Sequence, residues 1–422
     1  MEQVTDVVFR HVVKKAGAPD VFYTEFANAT GWVHAGSKGI GGRLIKTADE
    51  HPIIAQIWGG QPGDLEQFAL HCASLGYDGI DINMGCPAKS AVKSGGAALI
   101  RQPDLAAQAI AAAKKAGLPV SVKTRLGYSN LSEWEGWLTH ILEQDIAVLT
   151  IHLRTKKEMS KVPAHWELIP SIKALRDKIA PNTLLVINGD IKNREQGLRL
   201  AEQYGIDGVM IGRGIFTDPF CFAKAQGSPL PSLPPMVERR SLAAGPAAWS
   251  APSFEKSEIS SKVGAAPPVV TRLSQIGADE RRSGIAFADF LETEPSEDPG
   301  TSTRPGLRAG GRVDGREGAE YRAAATTDED IHNAVNNGSG DDEHYLEANR
   351  ARKRKDKETL INLLNYHLDL YDQYAEQTRR PFETLKRFFK IYIRDFEGAS
   401  ELREQLMHTK NTAEVRAIIN TL

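Results

Sequence analysis

Cysteine is scarce in this sequence: Cys72, Cys86 and Cys221 are the only three among 422 residues. An odd and sparse set argues against a disulfide framework and favours a reducing compartment. No two of them stand at the spacing of paired metal ligands, so we expect no bound metal. The first residues, MEQVTDVVFR, lack the apolar core of a signal peptide, and no apolar run is long enough to span a membrane. These absences predict a cytoplasmic protein with no membrane partner.

A basic excess is also lacking, because 52 Lys and Arg residues face 54 Asp and Glu residues and the formal net charge is −2. Any site for nucleic acid must therefore come from local clustering of Lys and Arg. The length excludes a single small domain. A (β/α)₈ barrel takes about 250 residues, so a barrel plus a further unit is a reasonable expectation.

The texture of the sequence changes twice, which predicts three parts. Residues 1–225 alternate between short apolar runs and longer stretches of helical period. Residues 226–341 are rich in Pro, Gly, Ala and Ser without apolar periodicity, so we predict a low-complexity, disordered insertion outside the core. Residues 342–422 return to a helical pattern and predict a small bundle of three helices.

The first part predicts an α/β fold with a parallel sheet, because strand-like and helix-like runs alternate at regular spacing. Seven candidate strands are visible: VFYTEF (21–26), IIAQIW (53–58), GIDINM (79–84), VSVKTR (120–125), VLTIHL (148–153), LLVING (184–189) and GVMIGR (208–213). A (β/α)₈ barrel needs an eighth strand. We expect it upstream of Met1, so the first strand is expected to be truncated.

Polar residues stand at the carboxyl ends of all seven runs, where barrels keep their chemistry. They are Glu25, Gln56, Asn83, Lys123, Arg125, His152, Asn188, Asp190 and Arg213. Ordinary turn residues at strand ends would give part of this pattern, but the repetition on seven strands favours an active-site rim.

The most informative stretch is DINMGCPAKSAVKSGGAALI, residues 81–100. A strand ends at Asn83, and Cys86 follows on a loop that Pro87 and a Gly-Gly pair can shape. A cysteine on a barrel rim is a candidate acid or nucleophile. Taken alone, such a cysteine is more often a buried structural thiol.

This stretch resembles the signature of the tRNA-dihydrouridine synthase (Dus) family, whose members carry a similar Asn-Met-Gly-Cys-Pro run. Further similar motifs follow in the same order: FYTEF, AQIWG, VKTRLG, IHLRT, VINGDI and MIGRG. The similarity covers about 1–225 and 342–422.

The resemblance implies an enzyme that reduces uridine in tRNA to 5,6-dihydrouridine. FMN would carry hydride from NADPH to C6 of an extruded uracil, and Cys86 would protonate C5. A thiol has a reference pKa of about 8.5, so it is mostly protonated near neutral pH and can act as an acid. Extruding the base costs least where the RNA is loosely paired.

The resemblance also implies an FMN site. The expected cofactor-binding residues are Gln56, Lys123, His152, Asn188, Gly189, Asp190, Gly212 and Arg213. Gln56 and Lys123 match residues beside the flavin ring, and His152 matches one near the ring and phosphate. Gly212 and Arg213 match the phosphate grip, which lies after the last two strands as in many barrels.

For the tRNA substrate, Asn83 is expected to contact the uracil or orient the Cys86 loop. Lys93, Arg125 and Arg154 are candidate phosphate contacts, with salt-bridge roles equally possible. In the tail, the i+4 series Lys386, Lys390 and Arg394 forms a predicted basic helix face opposite an apolar stripe. The basic run at 350–357 is a second candidate, although such runs are often solvated faces.

Two departures from the family pattern matter. Leu153 stands where the family has Gly, and its side chain could crowd the rim. Met1 falls on the Met of a strand that lies against the flavin, so the missing strand bears on FMN retention. The alternatives are another FMN barrel oxidoreductase, such as a dihydroorotate dehydrogenase-like enzyme, and a non-catalytic tRNA-binding protein with a disabled flavin site.

Overall fold

The computed structural model describes residues 1–224, 284–287 and 342–421. Its centre is a ring of parallel strands, in the order β1-β9-β8-β7-β6-β5-β4-β3-β2, closed by pairing of β1 with β3. The strands are β1 Val21–Tyr23, β2 Ala27–Asn28, β3 Ile53–Trp58, β4 Gly79–Asn83, β5 Val120–Arg125, β6 Val148–His152, β7 Leu184–Asn188, β8 Gly208–Ile211 and β9 Gly284–Phe287.

The seven predicted strands are confirmed, and each ends within a few residues of its expected boundary. The first is divided: β1 pairs with Ile53 and Ile54, and β2 continues along the same neighbour opposite Ile57 and Trp58. Together β1 and β2 occupy one position in the ring. With β3 to β9 this gives eight positions, the number of the predicted (β/α)₈ barrel.

The eighth position requires a correction. The strand between β8 and β1 is Gly284–Phe287, which pairs in parallel with both. We expected this strand before Met1 and no regular element within 226–341. The run GIAF is too short to show a period, yet four residues are enough for a strand with a neighbour on each side. The rest of 226–341 lies outside the described residues.

Helices cover the outside of the ring. In chain order they are α1 Val7–Gly17, α2 Ala29–Ala35, α3 Ser37–Ile40, α4 Pro62–Ser74, α5 Lys89–Val92, α6 Pro103–Lys114, α7 Trp134–Leu142, α8 Ile169–Ile179, α9 Arg194–Tyr204 and α10 Gly214–Thr217. Local sequence sets their ends. Asn193 accepts the backbone N–H of Gln196 at the start of α9, and Gly205 ends that helix with φ +63°.

The C-terminal helical unit differs from three plain helices. Its elements are α11 Asp342–Gln373, α12 Ala375–Thr378, α13 Glu383–Lys386, α14 Phe389–Tyr392, α15 Ala399–Met407 and α16 Thr412–Ile419. The second predicted helix is only two short turns, and the third is divided where Asn411 caps α16. Of the predicted apolar stripe Leu385, Phe389, Tyr392 and Phe396, the first three are at most 2% exposed and Phe396 is partly buried.

The helical unit packs on α1 of the barrel through aromatic side chains. The Phe9 and Phe388 ring centroids are 4.5 Å apart, and Phe216 lies 6.1 Å from Phe388. His367 is buried beside them and shares a 2.7 Å hydrogen bond between its Nδ1 and the Tyr392 hydroxyl. Burial lowers the pKa of His367 to about 3, so the ring is neutral near pH 7.

Within the ranges described, no helix is both long and apolar enough to cross a bilayer. The same ranges contain no group of three or more His, Cys, Asp or Glu side chains arranged to hold a metal ion.

Candidate active site

The loop after β4 is fixed by Asn83, the last residue of that strand. Its Oδ1 accepts the backbone N–H of Cys86 at 2.9 Å and that of Gly85 at 3.1 Å. Its Nδ2 donates to Gln56 Oε1 at 3.1 Å. One amide therefore orients both the cysteine loop and the side chain of the neighbouring strand, which is one of the two roles expected for Asn83.

A buried polar row crosses the adjacent strands β3, β4 and β5. Gln56 Nε2 donates to Asp81 at 2.8 Å, and the Ser121 hydroxyl donates to the other oxygen of that carboxylate at 2.5 Å. Lys123 is 4% exposed and pairs in register with Asn83. Burial raises the pKa of Asp81, while Ser121, Gln56 and Lys123 oppose that shift.

Asp81 was not among the predicted site residues, although the sequence carries a signal for it. It lies two positions before Asn83, so both side chains point to the same face of β4. An acid in the middle of an otherwise apolar strand is costly unless it is paired, and here two donors and a nearby lysine supply that pairing.

Cys86 lines a cavity of about 320 Å³ at the carboxyl ends of the strands. Its side chain is 4% exposed and packs with Phe26 and Ala91, flanked by Trp58 and Ala88. The lining also includes polar and charged side chains, namely Glu2, Gln3, Asn28, Arg43, Ser90 and Arg387. Arg387 belongs to the helical unit, so both parts of the molecule form this cavity.

A second cavity of about 420 Å³ lies at the ends of β6, β7 and β8. The predicted residues in its lining are Arg125, His152, Asn188, Gly189, Asp190, Gly212 and Arg213. Lys192 also lines it and was missed, because an exposed lysine after a strand has no distinguishing pattern. The structure thus brings together most of the expected cofactor residues, while Gln56 and Lys123 stand on the neighbouring strands β3 and β5.

The backbone of the second cavity requires glycine at one position. Gly189 has φ +119°, and a Cβ there would lie 3.0 Å from the Ala164 side chain and 3.1 Å from that of His152. Asn188 Oδ1 is buried with no hydrogen-bond partner in the part of the chain that the structure describes. Arg213 is 47% exposed and 3.3 Å from Asp190, so its guanidinium can reach an anion in the cavity.

Two roles were left open for Arg125 and Arg154, phosphate contact and salt bridges, and both side chains are at most 3% exposed. Arg125 donates to Gly85 O at 2.8 Å and Met159 O at 2.9 Å, which fixes the start of the Cys86 loop. Arg154 forms an ion pair with Asp190 and lies 3.0 Å from His152 Nε2. Of the two roles left open for them, the structure favours salt bridges and packing over phosphate contact.

The predicted basic face of the tail is also corrected, because its residues do not share one helix. Lys386 ends α13, Lys390 lies in α14, and Arg394 follows α14 beside Asp395, with 2.5 Å between their charged atoms. Lys386 pairs with Glu383, and Lys390 Nζ stands 5.0 Å from the Phe216 ring centroid. Lys93, an exposed residue after α5, is outside the lining of both cavities.

Leu153 does not crowd the rim. Its side chain is fully buried in the main core, while its backbone N–H donates to Asn188 O at 3.0 Å. The larger residue is therefore absorbed by packing behind the site.

Comparison with known proteins extends this description. Residues 1–244 match the family model described as dihydrouridine synthase (Dus). A probable tRNA-dihydrouridine synthase 2 of Bacillus subtilis (strain 168) is 42% identical over all of this chain and 91% of its own length. A probable tRNA-dihydrouridine synthase of Staphylococcus aureus (strain Mu50 / ATCC 700699) is 41% identical over all of this chain and 90% of its own.

One solved structure, an old yellow enzyme homologue from Zymomonas mobilis, aligns with 52% of this chain and 82% of its own at 14% identity and a TM-score of 0.34. The family model covers more than half of the chain, and the two relatives exceed 40% identity over its whole length. The chain therefore belongs to the dihydrouridine synthase family.

Proposed function

We propose that the chain reduces uridine in tRNA to 5,6-dihydrouridine, with Cys86 as the acid that protonates C5 of the uracil. The observation that carries this proposal is the position of Cys86. It lines a cavity at the carboxyl ends of barrel strands, on a loop held by Asn83, in a chain of the dihydrouridine synthase family. The names of these two relatives, both probable tRNA-dihydrouridine synthases, support tRNA as the substrate.

The cofactor we propose is FMN, with NADPH as reductant. The residues present fit such a group: Asn188 Oδ1 is a buried acceptor with no donor among the described residues, Gly189 lets the cavity-lining backbone pass close to His152, and Arg213 offers a cation for a phosphate. Gln56, Lys123 and His152 would hold the ring, with Asn188, Gly189, Asp190, Gly212 and Arg213 around the remainder. Bound, reduced FMN would supply the hydride that C6 receives, and NADPH would then reduce the flavin again.

The protein's own part is to hold and transfer a proton. As C6 gains hydride, negative charge builds at C5 and the adjoining carbonyl. The S–H bond of Cys86 then breaks, C5 gains the proton, and the sulfur keeps the electron pair until solvent reprotonates it. The buried Lys123, close to Asp81, would hold a positive charge near a bound flavin ring and so favour the reduced, electron-rich form of that ring.

The chain offers a matched test of Cys86. Cys86→Ala should abolish dihydrouridine formation while FMN stays bound, because the thiol acts on the substrate. Cys72→Ala is the control, since Cys72 is fully buried in α4 and burial raises its pKa to about 12. The measurement is mass spectrometry of tRNA incubated with each purified variant, NADPH and flavin. Full activity in Cys86→Ala would refute the acid assignment.

The FMN site has a separate test in Arg213→Ala. Because a charge-assisted hydrogen bond is worth about 1.5–3 kcal/mol and Arg213 is half exposed, we expect the lower end, roughly tenfold weaker flavin binding. Arg199→Ala is the control: Arg199 pairs with Glu195 on the outer helix α9 and is also exposed. Flavin affinity is read from the change in flavin fluorescence on titration. Equal affinities in the two variants would place the phosphate elsewhere.

The roles of Lys93, Lys386, Lys390 and Arg394 as tRNA contacts remain proposals. Their separate positions mean that single substitutions test them better than a combined one.

A further inference from the structure

Two arginines face the Cys86 cavity from different parts of the molecule. Arg43 lies in a short 3₁₀ turn of the barrel, Gly41–Leu44, and Arg387 lies between α13 and α14 of the helical unit. Neither arginine was among the predicted site residues. Their position matters because both line the same cavity as Cys86, so a nucleotide bound there would lie within that shared lining.

Both guanidiniums are held by partners that an anion could replace. Arg43 forms an ion pair with Glu2, in which the side chains are 27% and 24% exposed, and it also donates to Ile40 O at 2.6 Å. Arg387 donates to Gln3 Oε1 at 2.6 Å, a neutral amide oxygen. A phosphate oxygen is a stronger acceptor than an amide, and partly exposed ion pairs exchange at little cost.

The local charge also favours an anion. The cavity lining carries Arg43 and Arg387 against one acid, Glu2. Burial and the nearby Arg380 lower the pKa of Arg387, while the carboxylates of Glu25, Asp6 and Glu2 oppose that shift. Of these three acids only Glu2 lines the cavity, and Arg380 pairs with the other two.

The lining of this cavity also contains two aromatic residues, Phe26 and Trp58. Phe26 and Trp58 meet edge to face with ring centroids 6.4 Å apart, and both pack with Cys86 and Ala91. An apolar and aromatic wall suits the flat face of a nucleobase, while the arginine side suits its phosphates. A volume of about 320 Å³ lies at the lower end of the range for small-ligand pockets, roughly 300–1,000 Å³.

We propose that Arg43 and Arg387 bind the phosphates that flank the extruded nucleotide, and that Glu2 and Gln3 occupy these arginines until RNA displaces them. The inference rests on the proposed function, because it takes RNA as the ligand of the Cys86 cavity. The barrel and the helical unit would then each contribute one guanidinium to the phosphate site.

The test is binding of an unmodified tRNA transcript, followed by fluorescence anisotropy at several salt concentrations. Arg43→Ala and Arg387→Ala should each weaken binding severalfold and reduce the salt slope by about 0.7 to 0.9, the value for one lost phosphate contact. Arg43→Lys and Arg387→Lys keep the charge and should restore the slope. The flavin spectrum should stay unchanged in all four variants, which also shows that they fold.

Glu2→Gln tests whether the Arg43–Glu2 ion pair competes with RNA phosphate or only stabilises the fold. If Glu2 competes with phosphate for Arg43, its loss should tighten tRNA binding and lower KM while kcat is kept. If the ion pair only stabilises the fold, its loss should weaken binding or leave it unchanged. Glu195→Gln and Arg199→Ala make the same charge changes on α9 and correct for the overall charge.

Failure of the inference can be distinguished from failure of the proposed function. If the wild-type chain neither binds tRNA nor forms dihydrouridine, the proposed function fails. If it does both, yet Arg43→Ala and Arg387→Ala keep the wild-type affinity and salt slope, only the arginine assignment is overturned. If Glu195→Gln tightens tRNA binding as much as Glu2→Gln does, the effect comes from overall charge, and the arginine assignment is again overturned.

Discussion

Asn83 divides one amide between two tasks, because its oxygen holds the Cys86 loop and its nitrogen holds Gln56. In Asn83→Ala the buried N–H of Cys86 loses its acceptor, which costs about 1–3 kcal/mol for an unsatisfied buried group. We expect turnover to fall at least tenfold, with little change in tRNA affinity, because the acid is displaced from its position.

The control for Asn83→Ala is Asn411→Ala. Asn411 also accepts one backbone N–H, that of Glu414 at 2.9 Å, but it caps α16 in the helical unit. It should lose stability without losing turnover. Steady-state kinetics of both variants check this, and an equal loss of kcat in the two would mean that Asn83 contributes only stability.

At the level of single residues, the sequence predicted which residues lie at the barrel rim better than it predicted whether their side chains are buried. The motif around Cys86 and the strand-end series from Gln56 to Arg213 could be placed at the rim because strand ends share one edge of a barrel. Burial could not be predicted the same way. Arg125 and Arg154 look like surface cations in the sequence, yet backbone carbonyls and Asp190 satisfy them inside the protein.

The contact between α1 and α11 contains a neutral, buried histidine, and this gives the interface a pH dependence. The pKa of His367 is about 3 in the folded chain against 6.5 for an ordinary histidine. Below pH 6.5 the unfolded chain therefore binds a proton that the folded chain does not, so stability falls as pH drops towards 3. Between pH 6.5 and 5 this amounts to roughly 2 kcal/mol at 1.36 kcal/mol per unit.

In His367→Gln this loss should disappear, because glutamine does not titrate and can still bond with the Tyr392 hydroxyl. The measurement is the free energy of unfolding by urea at pH 7 and pH 5, with His408→Gln as a control at an exposed position. Other titrating groups cancel in the comparison with wild type. A wild-type pH dependence in His367→Gln would show that His367 protonates within the fold.

At the level of elements, strands were easier to predict than the tail helices. Short β-rich runs between helical stretches have few other interpretations, and all seven were found. The tail has the i, i+4, i+7 pattern of a helix from Leu385 to Tyr392, but two separate turns with the same spacing bury the same residues. The spacing of apolar residues indicates which side chains face the core, but it does not indicate where the helical backbone hydrogen bonds end.

For the whole molecule, the middle segment joins two units that already hold each other. Phe9 packs on Phe388, Arg380 pairs with Glu25, and Arg387 bonds with Gln3. A single cut within 226–283 should therefore leave a complex of two fragments that elute together in gel filtration and separate only in denaturant. Fragments that separate in native buffer would show that these contacts need the intact chain.

The same contacts constrain how the chain is made. Gln3 and Arg387 are 384 residues apart in sequence, and the Phe9 ring of α1, which stacks on Phe216 of the barrel, is also covered by Phe388 and His367 of the helical unit. At roughly 5–20 residues per second, a ribosome takes on the order of 20–80 seconds to deliver the second partner after the first. Through that interval a nascent barrel presents Phe9 to the surrounding solution, where chaperones that bind apolar surfaces would find it before the chain's own C-terminal helices do.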